Sequence, residues 1–328
     1  HVNEGAEEAV AYATGMAALH AVFTQIGVTS DRPLVAAQDL YGATYALLKQ
    51  LFTPGESVHF VEIADRAAVQ AAIARFKPRA VFLEVISNPL LRIPDLPAIV
   101  QWARASDAAV IVDATFATPY LLRAIQHGAD VVVHSATKYL GGHGDVMGGV
   151  VATTRERAHM LRMQQRLSGG NLGPFEAWLI LRGVRTLALR VREQCANALF
   201  VAQWLSAHPQ ISQAIYPGLP SHPHHDLAKQ LFGERGFGGV VAFELRAADE
   251  AKVFRFMEAL RLIQTGTSLG DVYSLLLYPA QSSHHALGRA ERLRQGIGDG
   301  LVRLSCGIED ARDIAADLER ALKVMSDA

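Results

Sequence analysis

The sequence predicts an α/β fold in which a large domain, built on a mostly parallel sheet, is followed by a smaller α+β domain. Three short apolar runs, at 80–85, 109–113 and 130–134, are rich in β-branched residues. Strands buried in a parallel sheet show this pattern. Periodicity alone also allows buried helix, but the short length and regular separation of the runs favour strands. Helix-like segments lie between the runs, and this alternation is typical of an α/β domain.

The remaining elements follow from pattern and capping. Residues 95–105 predict a helix with Asp95 as its N-cap. Residues 174–206 predict a long helix that breaks near Gly183. The later elements are strands at 211–217, 239–245 and 301–305 and helices at 224–232, 249–259 and 309–325.

Size and composition limit the classes of function. The chain has 328 residues, half of them hydrophobic, which suits two domains; we place these at 1–195 and 196–328. The net charge of -1 gives no electrostatic case for nucleic acid or an anionic membrane. No apolar run approaches the roughly 18 residues that span a bilayer. Two distant cysteines fit a reduced compartment, so we expect a cytoplasmic location.

Polar residues stand where the predicted strands end. In an open α/β sheet, ligands bind beyond the carboxyl ends of the strands. Asp113 and Lys138 close two successive βα units, so both side chains can reach one cavity. The other polar residues at these ends are Glu84, Ser87, Asn88, Thr115, Ser135 and Thr137.

A lysine and a carboxylate in this arrangement are what pyridoxal 5′-phosphate (PLP) requires. The lysine forms a Schiff base with the aldehyde, and the carboxylate keeps the pyridine nitrogen protonated. Asp113 as a plain helix cap remains an alternative. Lys138 as a surface lysine is disfavoured by its position directly after a buried strand.

The segment HSATKYLGGHGDVMGGVV (134–151) resembles the cofactor-lysine segment of the trans-sulfuration enzymes. This family includes cystathionine γ-synthases, cystathionine γ- and β-lyases, methionine γ-lyases and O-acylhomoserine sulfhydrylases. Further matching stretches follow in the family's order at 7–19, 39–48, 83–96 with 111–121, and 268–280 with 300–310. The resemblance spans nearly the whole chain and implies the PLP-dependent transferase fold type I, which is aspartate aminotransferase-like.

The resemblance assigns roles residue by residue. Lys138 would carry PLP as a Schiff base and shuttle protons, and Asp113 would pair with the pyridinium nitrogen. The phosphate would be bound by backbone N–H groups at the start of a helix over 16–26 and by two hydroxyls; the residues are Gly15, Met16, Ser135 and Thr137. Tyr41 would stack on the ring and help to move protons. The remaining residues are Asn88 at the cofactor's 3-oxygen and at the substrate, Ser268 at the substrate, and Arg303 at its carboxylate.

The sequence also departs from the family pattern. Ala114 stands where relatives usually have asparagine. Relatives carry an N-terminal arm ahead of the position of His1, with a Tyr-x-Arg that reaches the neighbouring subunit's phosphate. No such Tyr-x-Arg appears in this sequence, so we expect either that the chain lacks the arm or that the arm lies outside these residues. Relatives are homotetramers, dimers of dimers with shared active sites, and we expect the same here.

The resemblance implies a lyase that eliminates the γ-substituent of methionine, homocysteine or cystathionine and releases a thiol, a 2-oxo acid and ammonia. The alternative is a γ-replacement transferase, either a cystathionine γ-synthase or an O-acylhomoserine sulfhydrylase. A non-catalytic PLP-fold protein is disfavoured because Lys138, Asp113, Tyr41 and Arg303 are all retained. An oxidoreductase is disfavoured because no GxGxxG lies between a strand and a helix.

The residues at two positions predict which substrate is preferred. Relatives that act on cystathionine often have a glutamate and an arginine that meet its distal amino-acid group. Thr267 and Ala46 stand at these positions, so methionine or homocysteine should react at least as well as cystathionine. Methionine γ-lyases usually have a cysteine at the position of Ala43.

The segment SHPHHD (221–226) carries three histidines. A zinc site needs convergent ligands, usually with a cysteine or carboxylate partner. The loop-like setting favours a solvated connection, so we expect no bound metal.

Overall fold

The computed structural model describes residues 3–283, 285 and 288–326, which belong to two compact units. Unit 1 holds the described residues up to Ser87 together with 92–141 and 145–185. Unit 2 holds 88–91, 142–144 and the described residues from Thr186 onward. Two short segments that follow strand ends in the sequence therefore belong to unit 2.

Unit 1 is an α/β unit. Its elements in chain order are β1 (Glu8–Tyr12), α1 (Gly15–Gln25), β2 (Leu34–Ala37), α2 (Gly42–Leu51), β3 (Val58–Val61), α3 (Arg66–Phe76), β4 (Ala80–Glu84), α4 (Leu96–Ala105), β5 (Ala109–Asp113), α5 (Thr118–Leu121), β6 (Val131–Ser135), β7 (Gly149–Thr153), α6 (Arg155–Ser168) and α7 (Pro174–Val184).

The strands of unit 1 form one sheet in the order β1-β7-β6-β5-β4-β2-β3. Neighbours from β6 to β3 are parallel, whereas β7 is antiparallel to both β6 and β1. Every residue of β2 and β4 is buried, as expected for strands covered by helices on both faces. The mostly parallel sheet predicted from the apolar runs is thereby confirmed.

Side-chain caps fix where the helices of unit 1 begin. The predicted N-cap Asp95 accepts the Ala98 N–H at 3.1 Å, and this confirms the start of α4. Thr14 caps α1 by accepting the Ala17 N–H at 3.0 Å. Because each cap satisfies an N–H group that lacks an intrahelical partner, it holds the helix start in place.

Unit 2 is an α+β unit. Its elements are α8 (Leu187–Ala207), β8 (Ile211–Ile215), α9 (His225–Phe232), β9 (Val240–Leu245), α10 (Glu250–Ala259), β10 (Gln264–Thr265), β11 (Leu275–Leu277), α11 (Arg289–Gln295), β12 (Leu301–Ser305) and α12 (Ala311–Ser326). The sheet order is β10-β11-β12-β9-β8, and all neighbours are antiparallel except β10 and β11. Buried side chains of α8, α10 and α12 share one core with the strands.

The helical stretch predicted at 174–206 breaks later than expected. Gly183 lies in the last turn of α7, and the break comes at Arg185 and Thr186. A side chain on Gly183 would press against the Leu140 carbonyl oxygen, so the glycine allows close packing rather than ending the helix. The two units divide at this break, whereas the domain boundary placed at residue 195 from the sequence lies inside the continuous helix α8.

Candidate active site

In unit 1, two carboxylates end neighbouring parallel strands. Glu84 is the last residue of β4 and Asp113 the last residue of β5, and their Cα atoms are in register. Residues in register on adjacent strands point to the same face of the sheet. The sheet edge where the sequence predicted a ligand site therefore carries two acidic side chains next to each other.

The Thr115 backbone N–H orients the Asp113 carboxylate, and the Thr115 side chain is itself held by Ser135. The Thr115 N–H donates to Asp113 Oδ1 at 2.9 Å, and Thr115 Oγ1 accepts the Ser135 N–H at 2.8 Å. These two bonds tie the end of β5 to the end of β6. A carboxylate has about four acceptor positions, so one such bond fixes its orientation without exhausting it.

The two carboxyl groups differ in how strongly they hold a proton. Burial raises the pKa of Glu84 well above its ordinary range, and the nearby Asp113 raises it further. Burial also raises the pKa of Asp113, but hydrogen bonds from Thr115 and the nearby His134 oppose this rise. Adjacent buried carboxylates cannot both ionise easily. Burial thus favours the protonated form of both groups, and the pKa of Glu84 is raised further above its ordinary range than that of Asp113.

A third carboxyl group, Asp39, follows β2. Burial raises its pKa to about 6, Glu62 raises it, and Ser87 and Arg92 lower it. Arg92 Nη1 lies 3.9 Å from Asp39 Oδ2. This edge of the sheet thus concentrates acidic groups that burial drives toward their neutral forms.

The first turn of α1, beside Ser135, has the features of an anion cradle. The N–H groups of Gly15 and Met16, at the first two helical positions, have no intrahelical acceptor, and the helix dipole favours an anion there. A Cβ atom on Gly15 would lie 2.9 Å from Ser135 Cβ and 3.1 Å from Ser135 Oγ. Glycine is therefore required, and it brings backbone amides and a hydroxyl together.

Thr137 has a different local partner from the one the sequence suggested. Its Oγ1 lies 3.3 Å from the Gly148 carbonyl oxygen, to which it donates, and it accepts the Gly148 N–H at 3.1 Å. These bonds close the turn between β6 and β7. Its role at the phosphate remains a prediction.

Lys138 lies in the turn after β6, where its N–H donates to the Ser135 carbonyl at 3.1 Å. The side chain is half-buried. The other five lysines are on helices or at a helix end: Lys49, Lys77, Lys229, Lys252 and Lys323. Lys138 is therefore the lysine that the fold places at the carboxyl end of the sheet.

Tyr41 is held by its backbone and exposed at its ring. It is the N-cap residue of α2, and its N–H donates to Glu84 Oε1 at 2.6 Å. The residue is 47% exposed, which is unusual for a large aromatic side chain. A ring presented in this way can stack on a planar ligand.

In unit 2, Arg303 lies in the middle of β12 and is buried. Its Nη1 donates to Asn88 Oδ1 at 2.9 Å, and its Nη2 donates to the Ser268 carbonyl at 3.0 Å. Two such bonds fix the plane of the guanidinium fork, which suits bidentate binding of a carboxylate. Because Asn88 Oδ1 accepts, the amide nitrogen of Asn88 is the donor it can offer to a ligand.

Sequence reasoning missed the residues that pack on the loop after Lys138. Gly142 and Gly144 have φ angles of +68° and +69°, so both need glycine. A side chain on Gly142 would meet the buried guanidinium of Arg190, and one on Gly144 would meet the Tyr273 hydroxyl. The signal in the sequence was the run GGHG, which indicates a close backbone approach but not the partner.

The histidine-rich loop is less solvated than expected. His222 is only 7% exposed, and burial lowers its pKa to about 4. The imidazole is buried, its Nδ1 accepts the His224 N–H at 3.2 Å, and its lowered pKa keeps it neutral at physiological pH. Among residues 3–283, 285 and 288–326, no group of three or more His, Cys, Asp or Glu side chains could hold a metal ion.

The types of residue that unit 1 carries at this edge of the sheet match those that PLP requires. The phosphate needs an anion cradle that excludes side chains, which Gly15 provides beside Ser135. The ring nitrogen needs an oriented carboxylate, which Asp113 provides. The aldehyde needs a lysine at the same edge, and the ring needs an aromatic face; these are Lys138 and Tyr41.

Comparison with known proteins agrees with this chemistry. Residues 2–323 match the family of Cys/Met metabolism PLP-dependent enzymes. A cystathionine gamma-lyase of Bacillus subtilis (strain 168) is 41% identical over 322 residues, covering 98% of this chain and 83% of the relative. An L-methionine gamma-lyase of Pseudomonas deceptionensis is 40% identical over 327 residues, covering 98% and 81%.

The fold is shared with solved structures of the family. A cystathionine gamma synthase from Xanthomonas oryzae pv. oryzae, in complex with aminoacrylate and cysteine, superposes with a TM-score of 0.92 at 37% identity. The match covers 99% of this chain and 84% of that structure. The chain therefore belongs to the Cys/Met metabolism PLP-dependent enzyme family, whose cofactor is held as a Schiff base by a lysine. It is an enzyme that acts on small sulfur-containing amino acids, as a lyase or a transferase. No helix among the described residues is long and apolar enough to cross a membrane.

The Gly15 cradle can be tested by adding one methyl group. Gly15→Ala should weaken PLP binding by about tenfold, because the new Cβ forces Ser135 away from the amides of α1. Equilibrium dialysis of the apoprotein against PLP measures the dissociation constant. The matched control is Gly288→Ala, since no described atom lies within 4 Å of a Cβ there. Equal affinities for the two variants would contradict the assignment.

Proposed function

We propose that this enzyme catalyses γ-elimination from methionine, homocysteine or cystathionine and releases a thiol, a 2-oxo acid and ammonia. One observation carries the proposal. A continuous succession of contacts runs along the sheet edge, from Gly15 through Ser135 and Thr115 to Asp113, which lies beside Glu84. Family membership supports the chemistry that this edge would serve.

Two residues of unit 1, Lys138 and Asp113, would have different roles at the cofactor and the substrate. When bound, PLP supplies an electron sink for the negative charge that develops at the substrate Cα. Lys138 would hold PLP, and its amine would accept the proton from the substrate Cα. Asp113 would keep the proton on the pyridine nitrogen, a role for which the Thr115 N–H orients its carboxyl group.

Tyr41 and Arg303 would position the reacting groups. The exposed ring of Tyr41 would stack on the cofactor, and its hydroxyl would move a proton during elimination. Arg303 would bind the substrate α-carboxylate with its guanidinium fork, already oriented by Asn88 and the Ser268 carbonyl. Asn88 would offer its amide N–H to the 3-oxygen of PLP.

The net reaction balances with water as the second reactant. For methionine, the Cγ–S bond breaks and the Cα–N bond is hydrolysed, so that methionine and water give methanethiol, 2-oxobutanoate and ammonia. No oxidant or reductant is needed. Protons leave Cα and Cβ, and the sulfur takes one proton as it departs.

A second candidate is γ-replacement, in which a thiol enters in place of water. The similarity to the cystathionine gamma synthase of Xanthomonas oryzae pv. oryzae favours it. The two reactions share their first half and use the same residues. They differ in whether 2-oxo acid is released when no thiol is supplied.

The finer expectations of a homotetramer and a cytoplasmic location also belong to this proposal. Helix α7 carries a largely exposed apolar row: Phe175 is 64%, Trp178 57% and Leu181 65% exposed. The Phe175 and Trp178 rings stack with centroids 5.9 Å apart. An apolar face of this kind marks an interaction surface, and a second copy of the chain would cover it.

The identity of the cofactor lysine is open to direct test. Lys138→Ala should abolish both the visible absorbance of bound PLP and turnover. Borohydride reduction of the wild-type holoenzyme, followed by peptide mass spectrometry, locates the adduct. The matched control is Lys229→Ala, which should keep the absorbance. An adduct on Lys77 or Lys229 would refute the site.

The substrate preference of the enzyme tests the role of two uncharged residues, Thr267 and Ala46. Thr267 directly precedes Ser268, and both Thr267 and Ala46 are exposed. A distal zwitterion would find no charged partner in these side chains, whereas an apolar thioether loses nothing. We expect kcat/KM, scored by 2-oxo acid release, to be at least as high for methionine or homocysteine as for cystathionine. Thr267→Glu should move the preference toward cystathionine, and Thr267→Ser should not.

One outcome would overturn this substrate assignment. It is a wild-type preference for cystathionine of about a hundredfold or more. Absence of 2-oxo acid until a thiol is added would instead establish the replacement reaction.

A further inference from the structure

Glu84 has no part in the reaction described above, yet it is hydrogen-bonded to Tyr41 and lies in register with Asp113, which both have proposed roles. It is the last residue of β4 and only 6% exposed. Its Oε1 accepts the Tyr41 N–H at 2.6 Å. Its Cα is in register with that of Asp113 on the neighbouring strand. A buried acidic residue at this position needs a physical reason.

We propose that Glu84 is a positioning residue that works as a neutral carboxyl group: it holds Tyr41 in place and leaves the negative charge of the strand ends to Asp113. The inference rests on the proposed roles of Tyr41 and Asp113 and deepens them. Glu84 itself would contact neither cofactor nor substrate.

The first half of the inference concerns the start of α2. Tyr41 is its N-cap residue, and its own side chain makes no capping hydrogen bond. The ring is half exposed, so little buried surface holds it in one place. The bond to Glu84 is therefore an anchor that fixes the backbone from which the ring extends. Loss of the acceptor would leave a partly buried N–H without its partner and free the loop to shift.

The second half concerns charge. Two ionised carboxylates on adjacent strands repel strongly in a buried setting, so one of them takes up a proton. Burial raises the pKa of Glu84 well above its ordinary range, with Asp113 and Asp39 adding to the rise and the Tyr41 N–H opposing it. The Thr115 hydrogen bonds and His134 favour the charged form of Asp113. A neutral carboxyl group can still accept the Tyr41 N–H through its carbonyl oxygen.

Substitution of Glu84 by glutamine or by leucine separates its role as a hydrogen-bond acceptor from its role in charge. Glu84→Gln keeps an acceptor for the Tyr41 N–H and is permanently uncharged. Glu84→Leu fills similar space but accepts no hydrogen bond. Glu244→Leu is a matched control in unit 2, because Glu244 is a strand residue that also accepts a backbone N–H, that of Gly300 at 2.9 Å.

The experiment measures the PLP dissociation constant of each variant and the pH midpoint of the bound cofactor's absorbance change. Glu84→Leu should raise the dissociation constant by about tenfold, and Glu84→Gln should recover the affinity to within about threefold of wild type with the midpoint unchanged. Glu244→Leu should lower the melting temperature without weakening PLP binding. Exchange of the Tyr41 amide hydrogen in the apoprotein should speed up in Glu84→Leu and not in Glu84→Gln.

Different results would contradict the two halves of the proposal for Glu84. A Glu84→Gln variant as weak as Glu84→Leu, or one with a shifted pH midpoint, would show that the charge of Glu84 is used. Wild-type affinity in Glu84→Leu would show that the anchor is not needed. If Glu84→Leu does not fold, the Glu84→Gln results decide alone.

Failure of the proposed function would look different. Asp113→Asn that leaves the cofactor's absorbance and affinity unchanged would refute the role of Asp113 itself. A change in Asp113→Asn combined with no effect in Glu84→Leu would refute only the present inference.

Discussion

The active-site edge of unit 1 depends on the burial of two carboxyl groups side by side at the ends of β4 and β5. The register of the parallel strands places Glu84 next to Asp113, and burial makes two charges there costly. Asp113 accepts the Thr115 N–H and Glu84 accepts the Tyr41 N–H. Thr115 and His134 oppose the rise in the pKa of Asp113, whereas Asp113 and Asp39 add to the rise in the pKa of Glu84. In the proposed arrangement, Asp113 carries the charge while Glu84 stays neutral and holds the start of α2.

The other parts of the edge follow from the same strand geometry. Thr115 also accepts the Ser135 N–H, so the orientation of Asp113 is tied to the hydroxyl beside α1. Gly15 lets that helix start approach Ser135, because any side chain would collide with it. Lys138 follows in the next turn of the chain. The proposed anion site, the proposed placement of charge and the position of the lysine thus depend on neighbouring strand ends and a capped helix.

The sequence was sufficient for features that depend on local pattern. The apolar runs predicted β4, β5 and β6, Asp95 predicted its helix start, and the strand ends predicted which polar residues share an edge. It was insufficient where the partner is distant in the chain. The sequence pattern of β7 does not differ from that of the parallel strands, so its antiparallel direction could not be predicted. No residue near Gly142 in the sequence indicates that Arg190 packs against it. The raised pKa of Glu84, on which its proposed neutral state depends, likewise comes from burial and from a neighbour 29 residues away.

Infrared spectroscopy of the holoenzyme at neutral pH tests the central claim most directly. A protonated carboxyl group has a C=O stretching band that is separate from those of carboxylates. We predict such a band in the wild type, its persistence in Asp113→Asn, and its loss in Glu84→Gln. A band that survives in Glu84→Gln and disappears in Asp113→Asn would place the proton on Asp113 and contradict this account.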